Sequence, residues 1–402
     1  MKIFPSKISV IFVVVTLVYS QFLLGMLSDK IIGISLIPII SLVVALVFLS
    51  KTKVFTKEII IFVLLVNSFF IFSFMVSDKG EYATYKFIFI ILKFTVYVLL
   101  GALFGQKKEL FAPAVFNILL IFFIYSMFFC FVNQSTFDVN NRVFIGIFNP
   151  IWIGRIIFEF FLISLFFLNK KLWVNILIFT GCLFITYMTG SKGALFSLIL
   201  TVFYWYYANE KINKFYFTLT LLFFILFCFL IYTNVDVDSY VFQRFMTTVP
   251  DGTSDELYNE SRIIVWPKTF ELIVSQDLIP LLFGNGIGEF GSFYKGHEYN
   301  ARFYPHNLIL ELIVEFGLIF TTAVFIYMVK IFKKSKSLYK LLFLYFLLNS
   351  MFSGDILLNE FLYLYMGCLM SKKVTLNNNY NFLRPVKIKS NLKFQNLIRT
   401  RP

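Results

Sequence analysis

Phe215 to Tyr232 is an eighteen-residue run without a charge, and runs of this kind recur along the whole chain. A membrane-crossing helix needs roughly 20 predominantly apolar residues. In hydrocarbon no water is present to pair with the backbone, so each run must satisfy its own amides as a helix. The 402 residues are 59% apolar and 14% charged, about half the charged share of an ordinary soluble domain, and the mean hydropathy is +0.81. A water-soluble globular fold is thereby excluded. A β-barrel would need short alternating strands, which the unbroken runs do not supply. The expected fold class is all-α, a polytopic transmembrane helical bundle.

Twelve apolar segments are predicted, near residues 8–27, 31–49, 58–76, 83–105, 112–132, 149–168, 172–188, 193–207, 214–232, 305–330, 338–352 and 356–370. The first follows Lys2 and Lys7 without a small-residue cleavage site and is read as a retained span. The formal charge of +14 invites a nucleic-acid reading, but the distribution of the cations argues otherwise. With the N-terminus in the cytoplasm, inner segments carry 24 of the 36 cations and outer segments nine. The positive-inside rule then sets both termini in the cytoplasm of a multi-pass protein, and no nucleic-acid partner is expected. Residues 1–370 form the expected membrane domain and 371–402 a basic cytoplasmic tail that touches anionic lipid. The cysteines, Cys130, Cys182, Cys228 and Cys368, sit in apolar runs without a CxxC pair, so no disulfide framework or zinc site is expected.

Most loops are under ten residues, but Thr233 to Tyr304 runs for 72 on the outer side, with ten acids against five cations. Loops of that length in a compact domain usually carry function. Within it, Arg262 to Gln276 places Ile263, Trp266, Phe270 and Ile273 at helical spacing, which predicts a short amphipathic helix on the bundle or the outer leaflet. Ionisable residues inside spans are costly and mark pathways or sites. Here Lys86, Lys93, Arg155, Glu159, Glu311, Glu315 and Glu360, with Asn307, all fall between the outer surface and about the midplane. Taken singly, each reads as an ion pair holding helices together. Their one-sided clustering predicts a polar chamber at the outer face, roofed by the long loop.

Leu281-Leu282-Phe283-Gly284-Asn285-Gly286-Ile287-Gly288-Glu289-Phe290, followed by Tyr304-Pro305-His306-Asn307, Leu310-Glu311, Glu315 and Gly317, resembles the signature of the O-antigen ligase and polymerase family of bacterial membrane glycosyltransferases. Glu260-Ser261-Arg262 with Trp266 resembles the family's arginine segment, and Asn149-Pro150 and Gly190-Ser191-Lys192-Gly193 are weaker matches. The resemblance implies a GT-C-like bundle of about twelve spans in the bacterial inner membrane with one large extracytoplasmic loop. It implies an undecaprenyl-diphosphate oligosaccharide as donor and a second lipid-linked unit as acceptor. A chain-length regulator and a flippase of the same pathway are implied as partners, with no cofactor.

The chemistry of such a transfer fits the residues. Releasing a lipid diphosphate needs cations for the developing charge, and the accepting hydroxyl needs a base. Arg262 and Lys192 are the candidate catalytic cations and His306 the candidate base. Lys192 keeps the charge of the family's usual arginine without its fork. Arg155, Lys86, Lys93, Asn307, Glu311, Gly284, Gly286 and Gly288 are candidate substrate-binding residues. His297 reads as a solvated loop residue. The glycine run follows no strand, so it is not a nucleotide loop. Asp236-Val237-Asp238 resembles a metal-binding DxD, but nucleotide sugars are not expected outside the membrane, and no metal is assigned. Three readings compete: a repeat-unit polymerase, a ligase transferring glycan to lipid A-core or protein, and a flippase or other transporter. A transporter predicts polar groups through the full depth of the bundle, and the loose match outside the shared motifs favours polymerase over ligase.

The topology is testable with single cysteines in a cysteine-free background. Ser254→Cys is expected to react with an impermeant thiol reagent in intact cells and Ser390→Cys is not; the opposite pattern overturns the assignment.

Overall fold

The computed structural model describes residues 56–106, 108–132, 150–168, 170–208, 262–296, 302–335, 337–352 and 355–371, together with Tyr19 and Val43. The segment read at 214–232, most of 8–27 and of 31–49, the DxD at Asp236 and Asp238, His297, Cys228 and all but the first residue of the tail lie outside the described residues. Among the described residues there is no strand. The helices are α1 (Lys57–Val76), α2 (Glu81–Gln106), α3 (Lys108–Val132), α4 (Pro150–Phe166), α5 (Leu172–Thr189) and α6 (Lys192–Ala208), then α7 (Arg262–Val274), α8 (Leu278–Phe283) and α9 (Phe290–Lys295). They continue with α10 (Leu308–Lys334), α11 (Tyr339–Phe352), a 3-10 turn at Ile356–Leu358 and α12 (Glu360–Met370).

Five of these are long and apolar enough to cross a membrane: α1, α2, α3 from Phe111, α5 and α10. Their outward faces are apolar, as on α1, where Leu64, Leu65 and Met75 are more than half exposed. In water that surface would be a liability, whereas against lipid tails it costs nothing. Helix association in lipid rests on close packing, and small residues permit it. Gly101 and Gly105 of α2 face α12: a Cβ on Gly101 would lie 1.8 Å from Leu364 O, and one on Gly367 would lie 2.1 Å from Val98 O. The two backbones therefore touch at both glycines.

Helix boundaries follow local chemistry. Thr56 caps α1 by accepting the Ile59 amide at 3.3 Å, and Gly190 ends α5 in the left-handed region at φ 64°. Two segments differ from the sequence reading. The span expected from 305 begins at Leu308, because the Asn307 side chain caps it by accepting the Ile309 and Leu310 amides at 3.0 and 3.2 Å. The last span is interrupted: Asp355 caps the short 3-10 turn, and α12 starts only at Glu360, so Glu360 lies at the first residue of the helix and not one turn inside.

The amphipathic helix predicted at 262–276 is present as α7, but its faces are distributed differently. Val265, Thr269 and Ile273 are buried, against α9 and the start of α10, while Phe270 is 62% exposed. The predicted stripe mixed two faces because this helix is apolar on both.

Inside α10, Gly317 breaks the helix at φ 77°, ψ 172°, a conformation open essentially to glycine alone. The break frees carbonyls of the preceding turn, and the segment after α8 takes them up. Asn285 N donates to Val314 O at 2.8 Å and Gly286 N to Glu315 O at 3.2 Å, while Ser73 Oγ of α1 donates to Glu315 O at 2.8 Å. Gly317→Ala would force a Cβ to 2.2 Å from Leu282 O. The strained backbone alone costs about 1–3 kcal/mol. Thermal unfolding in detergent is expected at a clearly lower temperature, and an unchanged transition would refute this role for the kink.

Candidate functional site

The ends of α1, α5 and α11 and the starts of α2, α4, α6, α10 and α12 gather at one end of the bundle, and the ionisable side chains meet there. Three backbone turns define its walls. At the glycine turn, Gly284, Gly286 and Gly288 have φ of 86°, 108° and 82°. A Cβ on them would lie 2.5 Å from Glu315 O, 2.6 Å from Ser77 Cα and 2.7 Å from Ala83 Cα. Their lack of side chains lets the turn wedge between α10, the end of α1 and the start of α2.

Behind this wedge lies a buried charge cluster. Lys86 Nζ of α2 sits 2.6 Å from Glu311 Oε1 and 2.6 Å from Glu315 Oε1 of α10, and none of the three residues has accessible surface. Glu311 and Glu315 are one helical turn apart, so one ammonium reaches both. Glu311 Oε2 accepts the Ile356 amide at 2.9 Å, tying in the approach to α12. One heptad along α2, Lys93 Nζ donates to Leu357 O at 3.1 Å and lies 3.5 Å from Glu360. Lys93 thus binds α2 directly to the segment that opens α12, while Lys86 binds α2 to α10.

Above the cluster runs the stretch 302–307. Arg302 donates through Nε and Nη2 to Asp355 Oδ2 at 3.1 and 2.6 Å. Burial opposes the Arg302 charge, but the Asp355 carboxylate more than offsets this and holds the guanidinium above its ordinary pKa. Tyr304 follows; burial, then the negative charge of Asp355, pushes its phenol up to about 12, so it is a neutral hydroxyl at physiological pH. The charges of Glu311 and Arg155 also act on it. Trp266 Nε1 of α7 donates to Pro305 O at 2.8 Å. His306 then takes a left-handed φ of 56°, with its ring 4.5 Å from that of Tyr304.

The last turn of α11 links the remaining candidates. Arg155 Nη2 donates to Asn349 O at 3.1 Å, with its guanidinium 5.3 Å from the Trp152 ring. Asn307 Nδ2 donates to Met351 O at 3.2 Å. A Cβ on Gly193, next to Lys192, would lie 3.1 Å from Phe352 Cβ. Arg155, Lys192 and the His306-Asn307 bend thus surround one helix end. Glu159, one turn deeper on α4 than Arg155, accepts the Tyr19 hydroxyl at 2.5 Å and also that of Tyr365.

Of the residues singled out in the sequence, Lys86, Lys93, Arg155, Lys192, Asn307, Glu311, Gly284, Gly286 and Gly288 are at this end of the bundle, and His306 is among them. Arg262 opens α7, and its side chain lies outside the described residues. Sequence reasoning passed over Asp355 and Arg302, and took Tyr304 only as part of the signature. An acid at the mouth of the last span was the available signal for Asp355, and its partner Arg302 was counted only as a loop cation. Among the described residues no group of acids, histidines or cysteines has the arrangement of a metal site.

A family model described as O-antigen ligase matches residues 176–326. That segment contains Lys192, Arg262, the glycine turn, His306, Glu311, Glu315 and Gly317 and leaves out Lys86, Arg155 and Asp355. No curated protein and no solved structure matches the chain.

The charge cluster generates a stability prediction. Removing one partner of a buried ion pair costs roughly 3–5 kcal/mol, because the remaining charge stays behind without compensation. Lys86→Met is expected to lower the unfolding temperature in detergent sharply, and adding Glu311→Gln and Glu315→Gln to recover most of the loss. A single variant as stable as the parent would refute the framework role.

Proposed function

Because residues 176–326 match a family model described as O-antigen ligase, we propose that the protein is a membrane glycosyltransferase acting as a repeat-unit polymerase. It transfers glycan from undecaprenyl diphosphate onto a sugar of a second lipid-linked unit at the outer face of the bacterial inner membrane. The observation that carries this reading is the convergence at one end of the bundle: Arg155, Lys192 and the His306 bend around the last turn of α11, beside a carboxylate framework paired with lysine and arginine. In the full chain this end faces outward, twelve spans cross the membrane, and residues 233–304 form the outer loop.

In the reaction the acceptor hydroxyl oxygen bonds to the anomeric carbon of the donor. The bond from that carbon to the diphosphate oxygen breaks, and the electron pair leaves with the diphosphate. The hydroxyl proton passes to the His306 imidazole. His306 suits this role because its bend is held on both sides, by the Arg302–Asp355 pair before it and by the Asn307 cap after it. Arg262 and Lys192 take up the charge on the departing diphosphate. Lys86 and Glu311 are committed to each other, so in this reading they position α10 and the bend from behind. The three glycines likewise shape the wall. Arg155 and Lys93 remain candidate contacts to the substrate. The ligase reading, with lipid A-core or protein as acceptor, uses the same site residues.

The test is purified protein in proteoliposomes with lipid-diphosphate repeat units as the only substrate. Longer lipid-linked oligomers and free undecaprenyl diphosphate are expected. His306→Ala is expected to lower the rate by about a hundredfold to ten-thousandfold, the usual loss with a general base. Arg262→Ala is expected to abolish transfer, and Lys192→Arg to retain it where Lys192→Ala does not. A wild-type protein that extends nothing until a core acceptor is added is a ligase, and one that only moves lipid across the bilayer is a flippase. Chain extension at the normal rate by His306→Ala would remove the base assignment alone.

A further inference from the structure

The outer surface of α7 and α8 divides into strips that differ sharply in character. Around α7, Val265, Thr269 and Ile273 face the protein. The adjoining strip is apolar yet open: Phe270 is 62% and Val274 66% exposed, with Pro267 beside them. The next strip is polar, with Lys268, Glu271 and Ser275 exposed, interrupted only by Ile264. The open apolar strip continues after the turn at Asp277 into Leu278 and Ile279 of α8, which are 68% and 73% exposed. It ends at Phe283, whose ring meets Phe72 of α1 at 6.2 Å. Phe72 belongs to the same exposed apolar face of α1 as Leu65, Met75 and Val76.

A helix with protein on one side, an apolar strip on the second and charges on the third has the partition of an element lying along a membrane–water boundary. We propose that α7 and α8 lie in the headgroup region of the leaflet at this end of the bundle, with Phe270, Val274, Leu278, Ile279 and Phe283 against acyl chains and Glu271 and Ser275 in water. The occupant is lipid because the strip, crossed only by the turn at 275–277, leads through Phe283 and Phe72 onto the face by which α1 meets the bilayer. Gly284 follows Phe283 directly, so the lipid-facing surface passes without an intervening residue into the glycine turn that pins the kink of α10. The leaflet thus reaches the wall of the candidate site. The proposal depends on the chain being a membrane protein and is independent of any transfer chemistry.

Nitroxide labels at single cysteines in a cysteine-free background, in proteoliposomes of phosphatidylethanolamine and phosphatidylglycerol, test this. The protein is the full chain, and collision with oxygen is compared with collision with a water-soluble nickel chelate. Phe270→Cys, Val274→Cys and Leu278→Cys are expected to favour oxygen several-fold, and Glu271→Cys and Ser275→Cys to favour nickel. Nickel-favoured collisions at the first three positions would show water there and overturn the proposal. Protection of those positions from both agents would show that protein covers the strip, whether another part of the chain or a second copy, and would equally overturn it. Loss of transferase activity in any variant does not bear on the outcome.

Discussion

One ammonium group held between two carboxylates, out of reach of water, is the interaction on which this end of the molecule depends. An isolated charge in such a place costs several kcal/mol even after relaxation, so Lys86, Glu311 and Glu315 are tolerable only together. Lys86 and Glu311 stand 225 residues apart in the chain, and their pairing fixes α2 against α10 at a defined depth and rotation. Glu311 also accepts the Ile356 amide, which brings the start of α12 to the same point. A bundle whose outer surfaces are uniformly greasy has little else to set its register, since lipid tails compete equally for any apolar face.

The kink at Gly317 solves a second problem with the same parts. A helix break within a membrane leaves carbonyls that lipid cannot satisfy. Here the glycine turn and Ser73 satisfy them, and the turn fits only because Gly284, Gly286 and Gly288 lack side chains. The sequence GNGIG and the sequence Glu-x-Gly are therefore two halves of one joint. Each would be strained or unsatisfied without the other, and the joint lies directly beside the buried charges.

Much of this was legible in the sequence, for reasons that vary with the element. Spans such as Lys57–Val76 and Leu308–Lys334 declare themselves because hydropathy alone dictates helix in lipid, and the one-sided placement of Lys86, Glu311 and Glu315 in the sequence marked three side chains that lie together. The partners were harder to see. Asp355 and Arg302 lie in non-helical stretches where spacing carries no information, and only the approach of the 302–307 stretch to the 3-10 turn pairs them. The face of α7 was misjudged at Phe270 because a period identifies apolar residues and cannot say whether protein or lipid covers them. The φ angles and close neighbours of the three glycines, which spacing alone does not reveal, give them a part in holding helices together. Gly101 and Gly105, four residues apart in an apolar run, were a readable sign of close helix packing that went unused.

The backbone-to-backbone seam between α2 and α12 also constrains how the molecule can be made. Its two sides emerge from the ribosome at very different times, α2 early and α12 after every other helix described here. Until α12 arrives, the groove at Gly101 and Gly105 is open to lipid, Lys93 lacks Leu357 O and Glu360, and Glu311 lacks the amide of Ile356. The nascent bundle therefore inserts with an unfilled slot, and the last helix closes it like a keystone, completing the slot and the polar end of the bundle in one event.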